Sequence, residues 1–355
     1  MTIDLLLVAG VILVCLLASK FSAKLGVPTL LVFIFLGMVF GSDGVFKIQF
    51  DNYSIAEQIC SIALIFIMFY GGFGTNWQKA KTVAVKAVML STVGVLLTAS
   101  ITGVFCYFVL GFGLLESFLI GAVVSSTDAA SVFSILRSKR LNLKYNTASL
   151  LEVESGSNDP CSYMLTVIVL SLMNGEASGA HIVYMIFAQI VYGAVIGVVM
   201  ALISHFILTK VKFNNDGFES ILVFSMALVS YALSSAIGGN GYLSTYITGL
   251  ILGNKSFKSK KKLVNFFDGI TGLMQILIFF LLGLLAFPSQ LPQIVLPALA
   301  IALFLTFIAR PISVFAILTP FKCPLKQQLL VSWSGLRGAA SIVFAIMAMV
   351  SPAYI

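Results

Sequence analysis

Charged side chains are scarce in this sequence. Asp, Glu, Lys and Arg together make up 10% of its 355 residues, against about 25% in an ordinary soluble domain. Hydrophobic residues make up 59%, and the mean hydropathy is +1.07 over the whole length. Because exposing so many apolar side chains to water would cost too much free energy, a soluble globular protein is excluded and a lipid bilayer is indicated.

Tryptophan, histidine and cysteine are also rare, with 2 Trp, 2 His and 5 Cys. The cysteines lie mostly within apolar runs and show no metal-ligand spacing, so neither disulfides nor a cofactor is expected. The apolar runs are long and do not alternate with period two, which favours spanning helices over a transmembrane barrel. The first run, 3–18, lacks a basic leader and a small-residue cleavage site, which indicates a span rather than a signal peptide.

Hydropathy predicts an all-α polytopic membrane protein, one transmembrane domain over 1–355 without a soluble domain. The twelve predicted spans are 3–21, 25–41, 56–73, 84–110, 114–137, 149–173, 181–208, 219–237, 240–253, 264–286, 290–319 and 326–350. Eighteen of the 21 Lys and Arg residues lie in alternate connectors, and the other set of connectors holds only Lys47. By the positive-inside rule this pattern predicts a cell-membrane protein whose N-terminus is outside, and it explains the net charge of +8 without a nucleic-acid partner.

Six of the charged residues in the predicted spans indicate where function lies. They are Asp128, Glu152, Glu154, Asp159, Arg310 and Arg337. An unpaired charge in hydrocarbon costs at least about 2.5–3.5 kcal/mol, so these side chains should pair with one another or line a wet cavity.

The sixth predicted span begins with a polar run. Ser155 and Asp159 are four residues apart and share one helical face, while Glu154 and Asn158 share the adjacent face. The first face offers oxygen ligands, and the second carries a charge that needs a partner. Glu152 lies nearest the connector, so exposure to water at the membrane surface is an equal alternative for it.

Two further features affect Asp159, one in this run and one in the eleventh span. Pro160 removes the helical hydrogen bond to the carbonyl of Gly156, which leaves an oxygen suited to a hard monovalent cation beside the carboxylate. Arg310, in the eleventh span, is expected to pair with Glu154, because an unpaired arginine at that depth would be costly. Asp159 is then left for a cation or a proton.

The fifth and twelfth spans each contain a polar interruption. The run 125–131 predicts local unwinding that turns the main chain of Thr127 toward a cavity; the alternative is an intact helix whose hydroxyls join it to its neighbours. Gly335 and Gly338 on either side of Arg337 favour a broken helix with the arginine near helix C-terminal carbonyls, although an arginine that only braces packing is an alternative. The two spans are seven apart and cross in opposite directions, as inverted repeats require.

Four strings of residues resemble the cation:proton antiporter family, in particular its NhaP-type potassium/proton branch. They are GVPTLLVF at 26–33, which runs into LGM at 36–38 and GSDG at 41–44, then STDAA at 126–130, ESGSNDP at 154–160 and GLRGA at 335–339. The resemblance covers nearly the whole chain. It implies an inverted-repeat antiporter fold in which two discontinuous helices cross, and a homodimer in the bilayer that works by alternating access. The dimerisation part would comprise about 1–80 and 181–286, and the core part about 84–173 and 290–355.

Taken with the buried charges, the resemblance implies a role for each residue of the site. The ion- and proton-binding residues are Asp159, Asp128, Ser155 and Thr127, and the supporting residues are Asn158, Glu154, Arg310 and Arg337. Asn158 would stabilise the unwound segment, and an Asn-Asp pair in place of Asp-Asp implies electroneutral exchange of one cation for one proton. The transported cation is K+ or Na+; the oxygen ligands suit both, and the resemblance favours K+.

Two alternatives to an antiporter follow from the same residues. A cation channel also uses carboxylate and carbonyl oxygens. An intramembrane protease, and with it an enzyme, is not expected, because the sequence has no serine motif matched to its histidines and no aspartate dyad motif. The family pattern has a thirteenth span and often a cytosolic regulatory domain, so we expect this sequence to be part of a longer protein.

Overall fold

The computed structural model describes residues 2–25, 28–128, 143–175, 178–211, 213, 215 and 217–352, and these contain helices and no strands. The helices are α1 (Thr2–Leu25), α2 (Thr29–Phe40), α3 (Tyr53–Gly74), α4 (Trp77–Ala80), α5 (Ala84–Met89), α6 (Val95–Phe108), α7 (Leu114–Val123), α8 (Thr147–Met173), α9 (Gly179–Lys210), α10 (Phe218–Ala236), α11 (Gly241–Gly253), α12 (Lys260–Leu284), α13 (Leu291–Phe304), α14 (Arg310–Leu318), α15 (Leu325–Trp333) and α16 (Ala339–Val350). Two π-helical turns, Leu90–Gly94 and Leu305–Ala309, join α5 to α6 and α13 to α14.

The apolar helices confirm a membrane protein of the predicted all-α class. Seven segments of the described chain are long and apolar enough to cross a bilayer, and three shorter apolar helices, α2, α7 and α16, accompany them. The count of twelve spans stays a prediction. Many large hydrophobic side chains face outward, and α13 contributes no buried residue, as expected of a helix whose surroundings are lipid.

The fifth predicted span, 114–137, is helical for less of its length than expected. Helix α7 ends at Val123, residues 124–128 are not helical, and 129–137 lie outside the described residues. The unwinding predicted for 125–131 is therefore confirmed over 125–128, and the alternative of an intact helix is wrong there; 129–131 lie outside the described residues. One local contribution is the Ser125 hydroxyl, which donates to the Ala122 carbonyl at 2.7 Å and competes with helical continuation.

The twelfth predicted span, 326–350, is broken as its glycines suggest. Helices α15 and α16 are separated by 334–338, which is not helical. The sixth span, by contrast, is one continuous helix in spite of Gly156 and Pro160. Pro160 therefore removes one hydrogen bond without ending α8.

The helices pack in two groups that meet along α8 and α16. One group contains α2, α3 and α9–α12, and the other contains α5–α8 with α13–α15. Within the first group α11 lies directly on α3, since a Cβ at Gly249 or Gly253 would lie 2.1 Å from the Phe69 or Phe73 carbonyl oxygen. Helix α8 contacts α11 of the first group, and α16 contacts α3. The polar residues of α8 are thus placed at the boundary between the groups.

Candidate ion-binding site

The two unwound segments, 124–128 and 334–338, cross in direct contact. The amide N–H of Asp128 donates to the Leu336 carbonyl at 2.8 Å. A Cβ on Gly338 would lie only 2.3 Å from the Asp128 Cβ, so the main chains approach as closely as a glycine allows. The hydroxyls of Ser126 and Ser341 are also 3.2 Å apart. The crossing is therefore a packed polar junction inside the helix bundle.

Helix α8 holds the first unwound segment through three side chains. The Asn158 amide donates to the Thr127 hydroxyl at 2.5 Å, and the Ser155 hydroxyl donates to the Thr127 carbonyl at 3.0 Å. The Ser162 hydroxyl donates to the Ala122 carbonyl, near the last turn of α7, at 2.6 Å. These bonds satisfy polar groups that a broken helix leaves without partners where no water replaces them.

The two arginines of the predicted spans have different partners. Arg310 Nη2 lies 2.5 Å from Glu154 Oε1, and both residues are buried, with exposed fractions of 2% and 1%. The ion pair that the sequence predicts is therefore present. Arg337 Nη1 donates to the Ser125 carbonyl at 3.2 Å and to the Ser126 carbonyl at 2.6 Å. The guanidinium thus lies at the C-terminal end of α7, where the helix dipole favours a positive charge, as predicted.

Asp159 lies one turn beyond Ser155 on the same face of α8 and is 8% exposed. Asp128 is close enough to interact electrostatically with Asp159, and the Ser126 side chain interacts with the same carboxylate. Glu154 is paired with Arg310, so Glu154 and Asp159, two of the three carboxylates of α8, have different environments. The predicted ligands Asp159, Asp128, Ser155 and Thr127 are within one region, with Ser155 bonded to the Thr127 carbonyl.

A cavity of about 940 Å³ connects this region with the lysine-rich connectors. Asp159, Asp128 and Ser155 line it in the middle of the bundle, and Asn76 and Lys260 line it near the connectors that follow α3 and α11. Glu152 lines it as well. We call the side of the protein to which the cavity leads the lysine-rich side.

The donor set has the chemistry of a site for a hard monovalent cation. Among the residues that the structure describes, no group of three or more His, Cys, Asp or Glu side chains is placed to hold a metal ion. Carboxylate, hydroxyl and main-chain carbonyl oxygens near one another suit K+ or Na+ as a transported ion. The assignment of these residues as ligands stays a prediction.

Sequence reasoning missed the contribution of α11 to this region. Asn240, immediately before α11, donates from Nδ2 to the Pro160 carbonyl at 2.8 Å. Tyr246 of α11 packs on Gly156, where a Cβ would lie 2.5 Å from the ring. Asn240 can be recognised in the sequence as a helix N-cap, but its contact with a residue 80 positions away leaves no local signal.

Comparison with known proteins gives one family. The family model described as "Sodium/hydrogen exchanger, transmembrane" matches residues 9–354. The K(+)/H(+) antiporter NhaP of Alkalimonas amylolytica is 39% identical over 343 residues, covering 96% of this chain and 60% of the relative. The K(+)/H(+) antiporter NhaP2 of Shewanella oneidensis is 39% identical over 342 residues, covering 95% of this chain and 59% of the relative.

A solved structure has the same architecture. The sodium proton antiporter MjNhaP1 from Methanocaldococcus jannaschii, solved at pH 8, superposes with a TM-score of 0.87 at 27% sequence identity, covering 97% of this chain and 87% of that chain. The present chain spans about 60% of the length of the curated relatives named above. The chain belongs to the sodium/hydrogen exchanger family.

Proposed function

We propose that this protein is a secondary antiporter that exchanges a monovalent cation, K+ in preference to Na+, for a proton. The observation that carries the proposal is the position of Asp159, which lines the cavity from the lysine-rich side while its neighbour Glu154 is paired with Arg310. The names of the relatives support K+ as the cation. The family is one of transporters, and no enzymatic activity is proposed.

Competition at one carboxylate explains how exchange arises. A buried carboxylate is costly while it is ionised and alone, and either a proton or a cation neutralises it. The loaded core can then move between the two faces of the membrane, whereas the empty core is held back by the charge. Because one site holds either ion and never both, movement in one direction carries the cation and movement in the other carries the proton. Asn158 beside Asp159 supports electroneutral exchange of one for one.

The ligand set is proposed residue by residue. Asp159 and Asp128 supply carboxylate oxygens, and Ser155 and the Thr127 carbonyl supply the remaining ligands. Asn158 and Arg337 hold the unwound segment 124–128 in place, in keeping with their bonds to Thr127 and to the carbonyls of Ser125 and Ser126.

The two groups of helices support a division of labour. We assign dimerisation to about 1–80 and 181–286 and ion transport to about 84–173 and 290–355, in a homodimer in the cell membrane with the N-terminus outside. The site lies on the core part near its boundary with the dimerisation part, where a relative movement of the two would change access to Asp159.

Replacement of Asp159 by asparagine tests the proposal in proteoliposomes. Asp159→Asn should abolish K+-driven proton flux, because a neutral amide does not exchange a proton in this pH range and has no negative charge for the cation to neutralise. Asp51→Asn makes the same chemical change at an exposed carboxylate and should leave the flux unchanged. Retained exchange in Asp159→Asn contradicts the proposal.

A second measurement separates an antiporter from a channel. With a K+ gradient and the membrane potential clamped at zero, an antiporter acidifies or alkalises the lumen and carries no net current. A channel carries K+ current without proton flux, and that result would overturn the assignment. The same assay with Na+ in place of K+ measures the cation preference.

A further inference from the structure

Lys260 places a positive charge at the cavity that leads to Asp159. Among the described residues that line this cavity, Lys260 is the one basic side chain, and four are acidic, namely Asp128, Glu152, Asp159 and Asp268. The lining therefore attracts cations on balance, and Lys260 opposes this attraction. The proposed ligand set leaves this lysine without a role.

A lysine at this position is unfavourable by itself. Lys260 is the first residue of α12, and the first turn of α12 contains three lysines, 260–262, and no acidic residue. The partial positive charge at a helix N-terminus repels a cation. A tertiary contact compensates for this, because the Lys260 ammonium donates to the carbonyl of Gly253 at the C-terminal end of α11, where the helix dipole favours a positive charge.

The Gly253 carbonyl that accepts from this ammonium is held in place by α3. Asn254, which follows α11, donates from Nδ2 to the Thr75 carbonyl at 2.8 Å and accepts from the Trp77 N–H at 2.9 Å. Gly253 also packs on α3 so closely that a Cβ there would lie 2.1 Å from the Phe73 carbonyl oxygen. The lysine charge is thus fixed at the cavity wall instead of extending into the solvent.

A fixed charge beside a cavity acts on an ion that it does not touch. Salt screens a charge over about 8 Å at physiological ionic strength and over about 30 Å at 0.01 M. The low-dielectric walls of a cleft strengthen the field inside it. A cation that enters from the lysine-rich side shares the cavity with the Lys260 ammonium, so the ammonium repels it both on the way to Asp159 and while it is bound there.

We propose that Lys260 sets the affinity for the transported cation, lowering it by electrostatic repulsion along the cavity that leads to Asp159. This inference rests on the proposed function. Because the repulsion acts on charge and not on ionic radius, it lowers the affinity for K+ and for Na+ by the same factor and leaves the preference between them unchanged. Lys260 acts at a distance and is not a ligand.

Lys260→Gln tests this role, since it removes the charge and keeps a donor for the Gly253 carbonyl. The assay uses everted membrane vesicles, in which the lysine-rich side faces the medium, at an alkaline pH where protons compete weakly. At about 1 mM K+ and an ionic strength of about 10 mM, kcat/KM for K+ should rise about two- to fivefold, and the rise should disappear when choline chloride brings the ionic strength to about 0.5 M. The maximal rate should stay unchanged. An unchanged or lower kcat/KM at low ionic strength, or a rise that persists in high salt, overturns the proposal.

Three further variants separate the charge of Lys260 from its contact with α11. Lys260→Arg keeps the charge and should keep kcat/KM. Lys261→Gln makes the same chemical change at the next residue, which is exposed and outside the cavity lining, and should leave kcat/KM unchanged as well. Asp268→Asn removes a charge of opposite sign from the lining and should lower kcat/KM. Equal effects of Lys260→Gln and Lys261→Gln would contradict a role that depends on the cavity.

The electrostatic potential in the cavity can also be measured without transport. In a chain whose five native cysteines are replaced, Gln275→Cys places a thiol on the cavity wall. The rate of its reaction with a cationic methanethiosulfonate reagent, divided by the rate with an anionic one, should increase in Lys260→Gln and not in Lys261→Gln. An unchanged ratio overturns the inference. An increased ratio in a chain that exchanges no cation supports the inference about the potential and overturns the proposed function, so the two failures are distinguishable.

Discussion

Residues 124–128 unwind without a glycine or a proline, whereas the segment 334–338, which crosses them, contains Gly335 and Gly338. The first segment is held from outside: Asn158 and Ser155 bond to Thr127, and Arg337 bonds to the carbonyls that precede it. In the second segment, glycine is required because neighbouring residues approach the backbone closely. A Cβ at Gly338 would meet Asp128 at 2.3 Å, and one at Gly335 would meet the Arg310 side chain at 2.9 Å. A helix break can thus depend on partners supplied by a neighbour or on the absence of a side chain.

The difference has a practical meaning for sequence reading. A break required by sterics is visible in the sequence as glycine. A break held by partners is visible only as an unusual run of polar residues, whose effect depends on where their partners lie. Substitutions in each segment, and in the Glu154–Arg310 ion pair that contacts the second segment at Gly335, test this distinction.

The largest effect is expected at the ion pair on which the second segment rests. Glu154→Gln leaves the buried Arg310 guanidinium without its counterion and should destabilise the protein by about 3–5 kcal/mol. The free energy of unfolding of the purified protein, measured by denaturation in mixed micelles, checks this value. The double variant Glu154→Gln with Arg310→Gln should recover much of the loss. A double variant as unstable as the sum of the two single variants would contradict the pairing argument.

Gly338→Ala tests whether the second segment is set by close approach. The added methyl group cannot fit against the Asp128 side chain, whose Cβ would lie 2.3 Å away, without separating the two segments, so we expect a loss of about 1–3 kcal/mol in stability and loss of most cation exchange. Gly10 lies in α1 with open space around its Cβ position. Gly10→Ala is therefore the control and should retain both properties. Normal exchange in Gly338→Ala would show that the crossing tolerates a side chain.

The first segment, 124–128, should lose stability when the side chains that hydrogen-bond to it are removed. Asn158→Ala removes the donor to the Thr127 hydroxyl, and Thr127→Val removes the acceptor. Each variant should lower stability by about 1–2 kcal/mol, and the double variant by less than their sum, because both changes remove one shared bond. A double-mutant cycle measured by denaturation gives the coupling energy. Strict additivity would mean that Asn158 does not hold this segment.

Much of the fold could be predicted because hydropathy and charge act locally. Long apolar runs and the alternation of lysine-rich connectors indicate membrane helices whatever their neighbours are, and Gly335 and Gly338 indicate the second break. The Glu154–Arg310 pair could also be predicted, since few partners are available to a buried charge. Boundaries were less well predicted: the hydropathy of this span continues through 124–128, which are not helical, because hydropathy does not register the partners that hold these residues.

The sequence by itself determined that the chain enters a bilayer and that a few charges within it must be compensated, because the transfer free energy of each residue is a property of that residue. Only the tertiary structure decided which main-chain carbonyls hold Arg337 and that Asp159 lines a cavity. Asp159 and Glu154 differ by five positions on one helix, yet one lines a cavity and the other is paired with Arg310. The partner of Glu154 comes from α14 and the neighbours of Asp159 come from the unwound segment 124–128, and contacts between segments so distant in the chain depend on how helices pack. The contacts of Asn240 and Tyr246 with α8 belong to the same class.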